Sequence, residues 1–369
     1  MNPASRILPI LIALLPVSHL SASEDVPPFE PIDSLVYTNL EEVSITAVKQ
    51  GEDLRNQPVA ATIVTSPELE RLNAFSIKGI SDVVPNFYIP DYGSRITSTI
   101  YVRGIGARID QPSVGLNVDN IPYLYKDAFD YDLGDIISME MLRGPQSTLY
   151  GRNTMAGLIN ITTLSPMDYQ GWRLLVRAAS GNSFKINPAW YHKTSDKFAF
   201  AASLNISYGA GFFTNEYDHS KVDRERMMTA RFKSVWRPTR NFHINNVVSA
   251  NFLRQGGYPY AFKDTGKIEY NDTCFYHRIA INDGLTLRYF GDKVNITSVS
   301  TYQYLNDNLT IDQDFLPLSY FTLTQKKVEM GLTQDLVIKP AKKGKHYNWL
   351  FGAFAFYEHL SMRAPVDFK

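Results

Sequence analysis

The chain is poor in the groups that most enzymes and nucleic-acid binders depend on. It has one cysteine, Cys274, so no intrachain disulfide can form and no cysteine-built zinc site is available. Neither sign of charge is in excess: 37 basic residues stand against 37 acidic ones. A nucleic-acid-binding surface normally needs a clear basic surplus, so this balance argues against one. The histidines are scattered, which argues against a metal cluster. No glycine-rich phosphate loop, no His-Glu-x-x-His helix and no nucleophile elbow occurs. The sequence therefore points to no enzymatic activity and to no cofactor. Nor does any apolar run reach the roughly 20 residues that cross a bilayer as a helix.

What is present begins with a targeting segment. Arg6 precedes an apolar stretch, Ile7 to Val17, broken by Pro9 and Pro16. Small residues follow at Leu20-Ser21-Ala22-Ser23, and then Glu24-Asp25. This order predicts a secretory signal peptide over 1–23; the two prolines disfavour an ordinary helix. An exported chain without a spanning helix is soluble, surface-anchored or a β-barrel.

Residues 24–57 read as an extended leader, with Pro27, Pro28 and Pro31 and a polar end. Within it, residues 40–47 carry Val43, Ile45 and Ala47 on one side of an extended strand. Such a strand either adds to the sheet edge of a partner or opens the domain that follows. From Pro58 the texture is globular. Val59 to Val64 reads as a strand. Ser66-Pro67-Glu68 reads as a helix start with Ser66 as cap, and a second short helix is expected over Ile77 to Val84, before Pro85. Strands follow at 99–106 and 114–122. Residues 139–163 read as two strands joined by tight turns at Gly144-Pro145 and Tyr150-Gly151. Two intervening loops are rich in hydroxyl-bearing aromatics, with Tyr88, Tyr92 and Arg95 in one and Tyr123, Tyr125, Phe129 and Tyr131 in the other. They suit contact with a bulky ligand and suit packing equally well.

From Gly171 strict alternation takes over. Phe198, Phe200, Ala202, Leu204, Ile206 and Tyr208 alternate with Ala199, Ala201, Ser203, Asn205 and Ser207. Four later segments repeat the pattern, one placing Thr229, Arg231 and Lys233 opposite Met228, Ala230 and Phe232. One apolar face and one polar face fit a strand with lipid outside and water inside. A soluble sandwich also alternates, but the connectors separate the two. Nine strands are expected, at 171–180, 183–194, 197–210, 225–236, 241–253, 277–290, 293–306, 323–339 and 346–359. Connectors after the second, fourth and sixth are short, and those after the third, fifth and seventh are long, which is the outer-membrane barrel pattern.

The stretch Met139 to Thr163 resembles the end of the plug domain in TonB-dependent outer-membrane receptors, and residues 99–106 and 114–122 resemble two further plug segments. Asn120 and Ala156 stand where that family usually has glycine. The resemblance implies a mixed α/β plug domain over 58–168 followed by an antiparallel transmembrane β-barrel over 169–369. It makes 40–47 the TonB box, with Glu41, Glu42, Val43, Ser44, Ile45, Thr46 and Ala47 contacting a TonB-type periplasmic energy transducer. It implies a receptor in the cell outer membrane, embedded in outer-membrane lipid, for active uptake of a scarce bulky ligand. An extracellular iron–siderophore complex is the leading expectation; heme, cobalamin or an oligosaccharide are the alternatives. Plug-loop residues Tyr88, Tyr92, Arg95, Tyr123, Tyr125, Phe129 and Tyr131 become its candidate contacts. Plug arginines of the family pair with barrel glutamates, so Arg103 and Arg143 are expected to latch onto the wall with Glu329. A complete barrel of this kind has about 22 strands. Nine strands therefore predict a fragment of the barrel or a non-transporting remnant.

Overall fold

The computed structural model describes residues 60–368, apart from 73, 75, 91–98, 108–110, 126–128, 130–133 and 343–348. The expected signal peptide, leader and box at Glu41 to Ala47 lie outside the described residues, as do Tyr92, Arg95 and Tyr131.

The first body of structure is a small mixed domain. In order it contains β1 (Ala60–Thr65), α1 (Ser66–Arg71), β2 (Phe87–Tyr88), β3 (Tyr101–Val102), β4 (Ile105–Gly106), β5 (Val114–Val118), β6 (Ile121–Tyr123), β7 (Ile136–Arg143), α2 (Ser147–Tyr150) and β8 (Gly157–Thr163). The main sheet runs β1-β7-β8-β5-β6, and β2, β3 and β4 form a separate small sheet. β5 and β8 are parallel, while β1–β7, β7–β8 and β5–β6 are antiparallel. Val114, Leu116, Met139, Met141, Ile159 and Ile161 are buried in one core, as continuous apolar runs require of strands covered on both sides.

Two local expectations shift. Thr65, not Ser66, is the cap of α1, because Glu68 reaches back to the Thr65 amide at 2.8 Å and closes the first turn from there. The second helix shrinks to a single 3-10 turn, Lys78–Ile80. Gly79 sits at its centre and packs against Ala74, and glycine is a poor helix former.

The second body is a wall of antiparallel strands: β9 (Gly171–Ala179), β10 (Ser183–Ser195), β11 (Phe198–Gly209), β12 (Glu225–Thr239), β13 (Phe242–Gln255), β14 (Phe275–Phe290), β15 (Val294–Asp312), β16 (Phe321–Pro340) and β17 (Phe351–Arg363). Each pairs with the next, and a short β18 (Val366–Phe368) adds to β16 beyond β17. Among the described residues β9 and β17 each pair with one neighbour, so the sheet does not close. Connectors are short at one rim (196–197, 240–241, 291–293) and long at the other (210–224, 256–274, 313–320). β15 runs six residues beyond its expected end at the long-connector rim, through Asp307, Asn308 and Thr310. There Leu309 and Ile311 stay on the inward face and join the core, while the outward face turns polar with Asn308, Thr310 and Asp312.

The wall is inside out relative to a soluble sheet. Thr229, Arg231, Lys233, Asn251, Asn282, Thr301 and Gln303 are buried, whereas Phe232, Trp236, Phe252, Ile281, Tyr302 and Leu332 are exposed. The buried polar face lies against the small domain. The exposed apolar face suits hydrocarbon, and the stacked Trp172 and Trp190 rings, 5.7 Å apart, lie on it near the short-connector rim, as aromatics at a membrane interface do.

Candidate functional site

The site is the seam where the small domain meets the polar face of the wall, and the β5–β6 hairpin is its centre. Asp119 and Asn120 both take left-handed backbone angles, φ +54 and +68. That is the geometry of a type I′ turn, whose twist matches the flanking strands. Asn120 thus serves where glycine is more usual. The turn aims Asp119 at the end of β8, where it accepts from the Thr163 amide at 2.9 Å and the Thr163 hydroxyl at 2.6 Å.

Two cations from β12 meet it there. Lys233 Nζ lies 3.2 Å and an Arg231 guanidinium nitrogen 3.5 Å from the Asp119 carboxylate. The same guanidinium nitrogen donates to Asp135 at 2.9 Å and to the Thr163 hydroxyl. Asp135 also accepts from the Tyr191 hydroxyl of β10 at 3.3 Å. All four charged side chains are buried or nearly so. Burial alone pushes the Asp119 carboxyl up, but the Lys233 and Arg231 charges and the Thr163 hydrogen bonds outweigh it and hold the group below the ordinary carboxylate value. Two acids from one body and two bases from the other make a cluster of balanced charge, the condition under which buried ions are tolerated.

A second contact reads main chain. The Gln303 amide of β15, 0% exposed, accepts from the Leu124 amide at 2.9 Å and donates to the Pro122 carbonyl. Glycines on neighbouring strands make room for the same hairpin. A Cβ at Gly331 would stand 2.7 Å from Leu124 and 2.8 Å from the Tyr125 hydroxyl, and one at Gly284 would strike Ile121. A third contact comes from the turn after α2, where Arg152 pairs with Glu358 of β17 at 2.5 Å and lies over the Phe356 ring. Arg173 of β9 reaches Glu70 of α1 at 3.0 Å.

The expected latch residues lie elsewhere. Arg143 donates to the Pro85 carbonyl at 3.0 Å, within its own domain. Arg103 is the left-handed first residue of the β3–β4 turn, φ +52, and is exposed. Glu329 faces Lys327 of its own strand at 3.3 Å. Each arginine stands where its strand gives way to a left-handed glycine, Gly104 after Arg103 and Gly144 after Arg143. Among the described residues, the arginine of the small domain that meets a glutamate of the wall is Arg152. Of the aromatic loop residues, Tyr88 is exposed at 61%, whereas Tyr123, Tyr125 and Phe129 are buried at 6%, 4% and 2%. They pack into the core at the seam and are covered while the two bodies stay docked.

Asp119, Asp135, Arg231, Lys233 and Gln303 were not singled out by sequence. One signal was available: two cations two residues apart on the polar face of β12 need acids opposite, wherever the chain supplies them.

Residues 53–158 match the family model described as TonB-dependent Receptor Plug Domain. That stretch is a TonB-dependent receptor plug domain. The small domain is therefore the plug and the wall is part of the barrel. The chain is 36% identical to a pesticin receptor of Yersinia enterocolitica over 127 residues, 34% of this chain and 19% of the relative. It is 26% identical to a vitamin B12 transporter of Vibrio vulnificus over 207 residues, 53% of this chain and 30% of the relative. Its fold superposes on the ferric yersiniabactin uptake receptor of Yersinia pestis with a TM-score of 0.75 at 21% identity. That superposition covers 84% of this chain and 50% of the solved one, so the chain spans about half the solved chain's length.

Proposed function

We propose that this chain acts in energy-coupled uptake of a bulky, scarce ligand across the outer membrane, with an iron–siderophore complex as the substrate class. The observation that carries the reading is the plug–wall seam. A plug held by buried ion pairs against the polar face of a lipid-suited wall is closed at rest and needs work to open. The named relatives support the substrate class, since one solved neighbour is a ferric yersiniabactin uptake receptor. The similarity to a vitamin B12 transporter keeps cobalamin as the second reading.

The short-connector rim faces the periplasm in this reading, and the long connectors face outside. The chain is exported by its signal peptide at 1–23. Glu41, Glu42, Val43, Ser44, Ile45, Thr46 and Ala47 form the strand that a TonB-type transducer captures by edge pairing. Tyr88, with Tyr92, Arg95 and Tyr131, contributes ligand contacts, and Tyr123, Tyr125 and Phe129 become available when the plug shifts. No covalent chemistry is involved.

Deleting residues 40–47 tests the reading. Energy-dependent uptake of the radiolabelled iron chelate should stop while cell-surface binding of the same chelate persists. Uptake that continues at the original rate after the deletion refutes it.

A further inference from the structure

A cavity of about 280 Å³ lies between the plug and the wall, next to the β5–β6 hairpin and toward the short-connector rim. Its wall side is built from the ends of β14 and β16. Arg288 stands two residues before the end of β14, and Lys339 one residue before the end of β16. Strand register puts both on the polar face: Arg288 pairs with Thr297 and Lys339 with Asn295 on the intervening β15. The plug side presents the amides of Asn117 and Asn120; Asn160, whose amide donates to Glu140 at 3.2 Å, and Asp335 also border the space.

The charge of this lining is unlike the rest of the seam. Elsewhere acids and bases meet in matched sets: Asp119 and Asp135 with Arg231 and Lys233, Arg152 with Glu358, Arg173 with Glu70. Around the cavity two cations face one carboxylate. Arg288 makes no ion pair among the described residues. A guanidinium, an ammonium and side-chain amides converging on one space are the donors that hold carboxylate and phosphate oxygens.

We propose that this cavity is a binding site for a small organic polyanion bearing carboxylate or phosphate groups, held by Arg288 and Lys339 and oriented by Asn117 and Asn120. Its volume sits at the lower end of small-molecule sites, about 300 Å³ and upward. It admits a molecule of citrate size and excludes a whole bulky chelate. Two sources supply such chemistry: the anionic arm of a chelate passing the plug, or a free anion entering from the short-connector rim. The assignment of that rim to the periplasm rests on the uptake reading; the site itself rests on the lining.

The test is calorimetric titration of citrate into the full chain folded in detergent micelles. The expected result is saturable binding that weakens at least tenfold in the double variant Arg288→Gln, Lys339→Gln and is retained in Arg288→Lys, Lys339→Arg, which keeps the charges and controls for folding. Absence of saturable citrate binding by the unaltered chain, or equal binding by the glutamine variant, overturns the proposal. Uptake in cells then assigns the source. Slower chelate uptake by the glutamine variant with unchanged surface binding supports the passing arm, and unchanged uptake with citrate binding lost supports the free anion. If no form of the chain takes up chelate, the transport reading fails while the citrate titration still decides the site.

Discussion

Replacing Arg231 by methionine isolates the strongest tie between plug and wall. The change keeps much of the side chain's length and removes its charge. Asp135 then retains the Tyr191 hydroxyl at 3.3 Å and loses its cation. Asp119 keeps Lys233 at 3.2 Å. Breaking a buried ion network by deleting one partner costs about 3–5 kcal/mol, because an uncompensated charge stays in a poorly solvated place. At about 1.4 kcal/mol per decade, the equilibrium for plug release shifts by about two to four orders of magnitude. Brief proteolysis of the full chain in detergent across a urea series reads this directly, because a released plug is cleaved and a docked one is protected. The second arm adds Asp135→Asn. This restores the charge balance with Asp119 and Lys233 still paired, so the double variant should recover a large part of the loss. A protection midpoint for Arg231→Met within about 0.5 kcal/mol of the original, the usual scatter of surface changes, refutes the reasoning. So does a double variant as weak as the single one.

Gly284→Val places a side chain where Ile121 already stands and should weaken plug docking by about 1–3 kcal/mol, the usual cost of overpacking. Gly352→Ala, whose Cβ would meet only Leu350 at 3.8 Å, should leave the same protection assay unchanged. The lowered Asp119 value predicts a pH profile. A carboxyl that is more acidic when folded gives its full stabilisation above its ordinary value of 3.8 and loses it as pH falls through the lowered folded value. Plug protection should therefore hold down to about pH 4 and fail below it, and Asp119→Asn should be weaker at neutral pH with a flatter acid limb.

The elements and the partners of this fold were legible to different degrees. β10, β11 and β14 lie within about two residues of their expected limits because each is constrained on both faces. One face must suit lipid and the other a polar interior, so every second residue carries information. The β5–β6 turn falls inside the stretch 114–122 read as a strand; its left-handed pair Asp119-Asn120 needs residues that tolerate it. The acid–base cluster was not legible, because Asp119 and Arg231 belong to different bodies and meet only once both are folded. Nothing local to either residue names the other. The aromatic loop was open between two readings for a different reason. Hydroxyl-bearing rings such as Tyr123 and Tyr125 suit a wet surface and a dry seam alike, and the room left by Gly331 on the facing strand is what lets Tyr125 sit in the seam.

The order of strands in the plug sheet has a mechanical consequence. β1 is the edge strand, held through six residue pairs to β7, and it is the first strand after the leader. The acid–base cluster hangs on β5, β8 and the loop before β7, farther along the chain. Tension arriving through the leader therefore loads β1 first, in series with everything else. Stripping that strand leaves β7, β8, β5 and β6 together and the buried ion pairs intact. The edge strand and the ion cluster thus lie one after the other along the chain, and the first can yield without the second.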